Sequence, residues 1–248
     1  MKKGFTLAEV LITLGIVGVV ASMTLPTLNN NVQKQTYEAG AKKAYNIVSN
    51  AVSMYMVDQG VDDLSETPLY NNSDGLKAFV NSYFRVATDC GTKYNSDTDA
   101  SCFSKELYSL DRSKTNDNTK ENCAQIVTVA DGMAFCFENR TRKTRDSGIT
   151  VNRPDGTQGT LLQLVQTDAS QNFPLAVEVD INGASGPNVA GRDVFYMLVA
   201  RNGQIASQTT HCDVSTQDGR NKCVAYYSKK ASPMPIGLLQ YYGWKMKY

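Results

Sequence analysis

An apolar run near the start of the chain, residues 4–26, constrains the fold more than any other feature. Its sequence, GFTLAEVLITLGIVGVVASMTLP, is long enough for a helix of about 20 residues to span a bilayer. The run contains a single carboxylate, Glu9, near its beginning. A charged side chain at the centre of a membrane helix costs about 2.5–3.5 kcal/mol on insertion scales, so Glu9 requires a compensating interaction. We therefore expect a membrane-spanning helix that carries one functional carboxylate.

The first residues of the chain, MKKGFTLAE, resemble the leader and N-terminal helix of type IV pilins and type II secretion pseudopilins. The matching positions are Gly4, Phe5, Thr6, Leu7 and Glu9. The resemblance implies that a membrane prepilin peptidase cuts between Gly4 and Phe5 and methylates the new amine. It also implies that Glu9 pairs with the Phe5 amine of a neighbouring subunit. Homo- and hetero-pilin subunits would then polymerise through this helix on an inner-membrane assembly platform.

Two other interpretations of the run stay open. In the first it is an ordinary secretory signal, but residues 21–23, where cleavage would fall, show no A-x-A pattern. In the second it is an uncleaved anchor, which explains the length of the run and leaves Glu9 unexplained. Lys2 and Lys3 orient the N-terminus towards the cytoplasm in either case. The resemblance to pilins further implies a single-pass protein of the bacterial inner membrane, in contact with lipid before assembly, with its head on the periplasmic side.

The second half of the helix is predicted by a separate pattern. Pro26 removes one backbone donor, so we expect a kink or local unwinding there and not the end of the helix. Beyond it, apolar residues recur at spacings of three and four, which is typical of a helix that packs on a domain until Gly60 ends it. This stripe consists of Ala41, Tyr45, Val48, Val52 and Tyr55. The predicted layout is a leader (1–4), a filament-core helix (5–26), its amphipathic continuation (27–60) and a globular head (61–248).

Six cysteines lie beyond the apolar run, an even number that favours structural disulfides in an exported chain. There is no C-x-x-C pair and only one histidine, which argues against a tetrahedral zinc site. The sequence separations predict three local bridges: Cys90 with Cys102, Cys123 with Cys136, and Cys212 with Cys223. The middle bridge is the least favoured. A two-residue turn at Asp131 and Gly132 would place Cys136 opposite Val127 and leave Cys123 outside the ladder.

A glycine-rich segment in the second half of the chain is the candidate metal site. Two strands, residues 175–181 and 194–200, flank it, and the first of them alternates apolar and polar positions. The segment, DINGASGPNVAGRD, resembles a loop found in the head domains of many pilin-like proteins. Asp180, Asn182 and Asp193 bring hard oxygen ligands together, which predicts a calcium site. The alternative is that these side chains cap a long turn.

The remaining features favour a structural head over a catalytic one. His211 is the only histidine, and no nucleophile, base or phosphate-binding motif accompanies it, so we do not expect an enzyme. A formal charge of +1 disfavours nucleic acid as a partner. The basic cluster RTRKTR, residues 140–145, permits such a contact but is expected to be a solvated loop. Tyr241, Tyr242 and Trp244 are expected to lie in a final strand on the sheet.

Taken together, these patterns predict an α+β fold in which a long N-terminal helix packs on an antiparallel sheet. The resemblance implies that the chain is a structural subunit of a type IV pilus-like or type II secretion pseudopilus filament. The alternative is a minor or tip subunit whose head binds a surface, DNA or a secreted substrate.

Overall fold

The computed structural model describes residues 6–70, 72–92, 102–104, 106–115, 123–139, 150–152, 158–160, 173–206, 214, 216–229 and 233–248. The chain divides into two compact units, Met1–Tyr37 and Glu38–Tyr248. The described part of the first unit is helical from Leu7 onwards, and the second unit is the head.

A single helix, α1, spans Leu7–Gln59 and confirms the predicted long N-terminal helix. No residue within these bounds leaves the helix, so the chain is not unwound at Pro26, and a kink at that residue stays a prediction. At the C-terminus Gly60 adopts a φ of +67°. The amide of Val61 donates to the Met56 carbonyl at 3.1 Å, which is the hydrogen bond of a glycine-ended helix.

The apolar stripe on the second half of α1 faces the head, as its spacing predicted. Four of its five residues are buried, namely Ala41, Val48, Val52 and Tyr55, and Tyr45 is half-buried. Ala44 and Ala51, which flank the stripe, are buried as well. The ring of Tyr55 packs against Phe79, which lies on helix α2 (Ser73–Tyr83), with centroids 5.0 Å apart. Phe79 contacts Phe84, and Phe84 contacts Phe137 of the main sheet at 4.8 Å. This chain of aromatic rings joins the helix to the sheet.

The described part of the head contains twelve strands in three sheets. Seven of them form the main sheet: Val86–Gly91 (β1), Gln125–Val129 (β4), Ala134–Asn139 (β5), Leu175–Asp180 (β8), Val194–Val199 (β10), Ile205–Ala206 (β11) and Met234–Pro235 (β12). The others are Leu107–Tyr108 (β2), Lys114–Thr115 (β3), Thr150–Asn152 (β6), Gln158–Thr160 (β7) and Asn188–Val189 (β9). The main sheet has the order β1–β4–β5–β8–β10–β11, all antiparallel, and β12 pairs with β10 in parallel. The predicted α+β head with an antiparallel sheet is confirmed.

The hairpin of β4 and β5 differs in register from the prediction. Its loop has three residues, 130–132, because the Val129 amide donates to the Met133 carbonyl at 2.9 Å. Gly132 closes the loop with a φ of +87°, the left-handed position that this loop length requires. Cys136 consequently lies opposite Ile126 and not opposite Val127. The two-residue register was wrong. Cys123 precedes β4 and lies outside the ladder, as expected, yet it is bonded to Cys136, so the doubt about the middle disulfide was wrong.

The C-terminal aromatic residues do not form a final strand, so that prediction was wrong. After β12 the chain enters a short helix, Gly237–Tyr241, which follows the longer helix α3 (Gln217–Ser228) and is labelled α4. The free side of β10 is paired with β11 and β12, so the residues that follow cannot pair with β10 there. The ring of Trp244 instead contacts Tyr45 of α1, with centroids 5.4 Å apart.

An ion pair between Asp63 and Arg201 ties the segment after α1 to the end of β10. Arg201 Nε donates to Asp63 Oδ1 at 2.9 Å, and Arg201 Nη2 donates both to Asp63 Oδ2 and to the Ser65 hydroxyl. The Leu64 amide adds a bond to the Arg201 carbonyl at 2.7 Å. Partial burial raises the pKa of Asp63, but the hydrogen bonds from Arg201 and Ser65 outweigh it and hold the pKa below its ordinary value.

We expect Arg201→Gln to lower the free energy of unfolding by about 1 kcal/mol at pH 7, a value reduced for the partial exposure of the pair. Because the folded pKa of Asp63 is lowered, this contribution is present above the ordinary Asp pKa and is lost as the pH falls through the folded value. Urea unfolding of wild type and variant should therefore converge on acidification. Lys222→Gln, which removes an exposed ion pair with Asp218, is the control and should change stability little.

Candidate functional site

Thr6 and Glu9 form a reciprocal hydrogen-bonded cap at the start of α1. Glu9 Oε2 accepts from the Thr6 amide and from the Thr6 hydroxyl, both at 2.8 Å, and the Glu9 amide donates to Thr6 Oγ1 at 3.3 Å. This is a capping box, in which the two residues satisfy backbone donors that the first helical turn leaves free. Thr6 was not among the predicted assembly residues, although the spacing T-x-x-E is a sequence signal for such a cap.

The first unit presents an apolar helical surface. Every described side chain from Leu7 to Leu25 is exposed except the half-buried Ala21. The most apolar 18-residue window of α1 has a mean hydropathy of 2.0 and no buried residue, so by length and composition the helix can cross a membrane. The processing residues Gly4 and Phe5 lie outside the described residues.

The glycine-rich loop between β8 and β10 is held by the carboxylates at its two ends. Asp180 Oδ1 accepts from the amides of Asn182 and Gly183, both at 3.1 Å, and Asp180 Oδ2 accepts from Asn188 Nδ2 at 2.5 Å. At the other end Asp193 Oδ1 accepts from the Val189 amide at 2.5 Å. Side chains that accept from nearby backbone amides in this way cap a turn. Turn capping is the alternative to calcium binding that the sequence left open.

Burial and ion pairing set the charge state of the second end of the loop. Asp193 is fully buried, and burial raises its pKa. The amide of Val189 and the guanidinium of Arg192, whose Nη2 lies 3.2 Å from Asp193 Oδ2, oppose that shift without cancelling it. Each oxygen of Asp193 thus accepts a hydrogen bond, Oδ1 from the Val189 amide and Oδ2 from Arg192.

Two side-chain oxygens of the same loop provide the evidence on calcium. Asn182 Oδ1 and Asn188 Oδ1 are buried and accept no hydrogen bond, which suits a hard cation. The carboxylate oxygens of Asp180 point at N–H donors, which does not suit one. Within the described ranges, no three His, Cys, Asp or Glu side chains gather into a group that could hold a metal ion. Calcium binding at Asp180, Asn182 and Asp193 stays a prediction.

Chelation tests that prediction. If calcium binds at the loop, EGTA should lower the melting temperature by about 5 °C or more when the calcium concentration is a hundredfold above Kd. Magnesium should not restore the loss, because it demands a tighter octahedral shell. Asn188→Ala should make the protein insensitive to EGTA. A melting curve that is the same with and without chelator would contradict the predicted calcium site.

The disulfides follow the predicted pairing as far as the chain is described. Cys90–Cys102 and Cys123–Cys136 are both formed, with Cα atoms 6.1 and 5.5 Å apart. The two bridges share one buried cluster with Phe103, Ile126 and Ala134 on the main sheet. Cys223 is also disulfide-bonded, and its predicted partner Cys212 lies outside the described residues.

Other predicted features also fall outside the described part of the chain. They are His211 and the basic cluster at residues 140–145. The structure therefore does not test the solvated-loop interpretation of either feature.

Comparison with known proteins finds similarity at the N-terminal motif and to two curated proteins. Residues 1–25 match the family model described as the prokaryotic N-terminal methylation motif. The chain is 35% identical over 77 residues to type II secretion system core protein G of Escherichia coli K12, covering 27% of this chain and 51% of that protein. It is 33% identical over 84 residues to the fimbrial protein EcpC of Eikenella corrodens, covering 33% of this chain and 49% of that protein.

The chain thus spans about half the length of the curated relatives it matches. No solved structure matches it significantly. In its N-terminal motif and its long apolar helix, the chain is similar to type IV pilins and type II secretion pseudopilins.

Proposed function

We propose that this protein is a structural subunit of a type IV pilus-like or type II secretion pseudopilus filament and polymerises through α1. The carrying observation is the exposed apolar surface of the helix in a chain whose first 25 residues match the methylation motif. Apolar surface of this extent is stable in lipid or against other apolar helices, and not in water. The helix therefore anchors the subunit in the inner membrane first and lies in a filament core afterwards. The proposed role is structural and not catalytic.

Processing by a prepilin peptidase is the first step of the proposal. Cleavage between Gly4 and Phe5 creates a new amine, which the match to a methylation motif suggests is then methylated. Glycine before the cut lets the backbone approach the enzyme without a side chain in the way. The amine forms next to Thr6, whose amide already contacts Glu9 Oε2. Processing thus places a cation within about one helical turn of a carboxylate.

Assembly is the second step. The Phe5 amine of one subunit pairs with Glu9 of a neighbouring pilin subunit, of the same or another kind, on the inner-membrane assembly platform. In apolar surroundings this pairing offsets the cost of burying either charge alone. Lys2 and Lys3 keep the leader on the cytoplasmic side, so the head lies on the periplasmic side and later on the filament surface.

Mass spectrometry of the mature N-terminus tests the proposed function. The expected peptide begins at Phe5 and carries one extra methyl group. An N-terminus at Met1, or one near Met23, would overturn the proposal. The Gly4→Asn variant, whose side chain obstructs the cleavage site, should accumulate uncleaved in the same cells and serves as the control.

The role of a minor or tip subunit is the second candidate. The observation that favours it is the C-terminal aromatic segment, which is not buried as a strand and leaves Tyr241 45% exposed. Such a head would bind a surface, DNA or a secreted substrate. The amount of this chain in sheared filaments separates the two roles, because a principal subunit dominates the preparation and a tip subunit is present in traces.

A further inference from the structure

We propose that the last residues of the chain, 244–248, are a latch that determines where the packing of α1 on the head begins. All described side chains from Leu28 to Thr36 are exposed, whereas Glu38 is only 5% exposed. The head also begins at Glu38 as a compact unit. A carboxylate is an unusual residue at the first buried position of a helix, since burying a charge is costly without partners.

Two hydrogen-bond partners of Glu38 lie more than 200 residues further along the chain. Glu38 Oε1 accepts from the Met246 amide at 2.8 Å, and Glu38 Oε2 lies 2.9 Å from Lys245 Nζ. The bond to the Met246 amide is buried, and the Lys245 side chain is 61% exposed. Glu38 of α1 thus accepts from a backbone amide of the latch and also pairs with its lysine.

The latch has a second and a third attachment. The Tyr248 hydroxyl donates to the Gly191 carbonyl at 2.8 Å, which fixes the end of the chain on the loop before β10. The ring of Trp244 packs edge-on against Tyr45, two turns along α1 from Glu38. Burial raises the pKa of Tyr248, and the charge of Glu38 adds to the shift, so the hydroxyl remains a donor.

The helix itself offers little apolar surface at this point. Gly40, Ala41 and Ala44 are its buried or half-buried small residues in the first two turns of the head, and fully buried larger side chains begin at Val48. The half-buried Tyr45 contacts the latch itself, through Trp244. At about 25 cal/mol per Å² of buried apolar surface, methyl groups and bare backbone hold a helix weakly compared with Val or Tyr. Opening the latch would therefore release residues 38–47 as exposed helix while the rest of α1 stays packed.

The released segment gives the latch a conformational function. Ten residues correspond to about 15 Å of helix, by which the exposed part of α1 would lengthen without unfolding the head. Opening the latch would give up a few polar bonds, the ring contact between Trp244 and Tyr45, and the burial of Met246. These contacts are few compared with the core beyond Val48, so a minor unlatched population is expected alongside the latched one.

Hydrogen exchange on the full chain in detergent tests the latch. Two variants open it: Glu38→Gln, which keeps an acceptor and removes the charge, and a chain that ends at Gly243. Both should raise exchange at residues 38–44 about tenfold or more, with the larger effect in the truncated chain, and leave β8 and β10 protected as in wild type.

Lys43→Gln is the matched control, because Lys43 lies on the same turns of α1 and forms a partly exposed ion pair with Asp131 that does not involve the latch. In this variant, protection from hydrogen exchange along α1 should still begin at residue 38, as in wild type. The proposal would be overturned if residues 38–44 kept wild-type exchange in both latch variants. It would also be overturned if protection fell equally in β8 and β10, since that result indicates general destabilisation and no separate latch.

Discussion

Replacing Glu9 with valine is expected to leave processing intact and to reduce incorporation into filaments more than about tenfold. Loss of one partner of a desolvated ion pair costs about 2–5 kcal/mol, which exceeds the 1.4 kcal/mol that corresponds to a factor of ten. The measurement is the ratio of the variant to wild-type chain in sheared filaments, normalised to the membrane-bound pool. Normal incorporation would refute the pairing of Glu9 with a neighbouring Phe5 amine.

Thr6→Val is the control that this experiment needs. Glu9 also accepts two hydrogen bonds from Thr6, so Glu9→Val removes the helix cap as well as the charge. Thr6→Val removes the capping hydroxyl, which is worth about 1 kcal/mol, and keeps the carboxylate. If intersubunit pairing is the main role of Glu9, Thr6→Val assembles nearly normally. Equal failure of the two variants would assign Glu9 to the cap.

The double variant Cys123→Ala with Cys136→Ala is expected to lose about 3 kcal/mol of unfolding free energy. The bridge closes a segment of 13 residues, and the chain-entropy estimate for such a loop has that size. Both sulfurs are buried against Ile126 and Ala134, so their loss also removes packing. For a domain of this size the melting temperature should fall by about 6–12 °C, measured by circular dichroism on the full chain.

The second bridge separates the two causes. Cys90 and Cys102 are 12 residues apart, so chain entropy alone predicts nearly the same loss for their double alanine variant. Cys90 is only half-buried, and a packing contribution would therefore make the loss smaller than at Cys123 and Cys136. A change below about 1 kcal/mol at Cys123 and Cys136 would contradict the expectation that this bridge stabilises the head.

Features that depend on neighbouring residues were predictable. The stripe from Ala41 to Tyr55 repeats with the helical period, and the helix ends at the glycine that was expected to end it. The strands β8 and β10 lie within one residue of their predicted bounds. In each case the pattern of the sequence is itself the physical cause, because a helix or strand presents its residues at a fixed period.

Features that depend on residues far apart in the sequence could not be predicted from it. The alternation in β8 indicates a strand with one polar face, yet Glu178 and Asp180 on that face are 5% and 0% exposed. Both faces of the sheet are covered at β8. The alternation of apolar and polar residues does not show this, because it does not tell what packs on the polar face. The hairpin register failed for a related reason: a three-residue loop and a two-residue loop share the same Asp–Gly signal and differ only in how the strands pair.

The sequence by itself determined the N-terminal element of this protein: a motif of a few residues, a long apolar run and one carboxylate, all within a single helix. Only the tertiary structure decided what Glu38 does, because its partners Lys245 and Met246 are 207 and 208 residues away. It also decided that Asp180 and Asp193 hold the ends of a loop through nearby amides. A local pattern states which residues must be buried or capped, whereas the partner that satisfies a buried charge is chosen by how the chain folds back on itself.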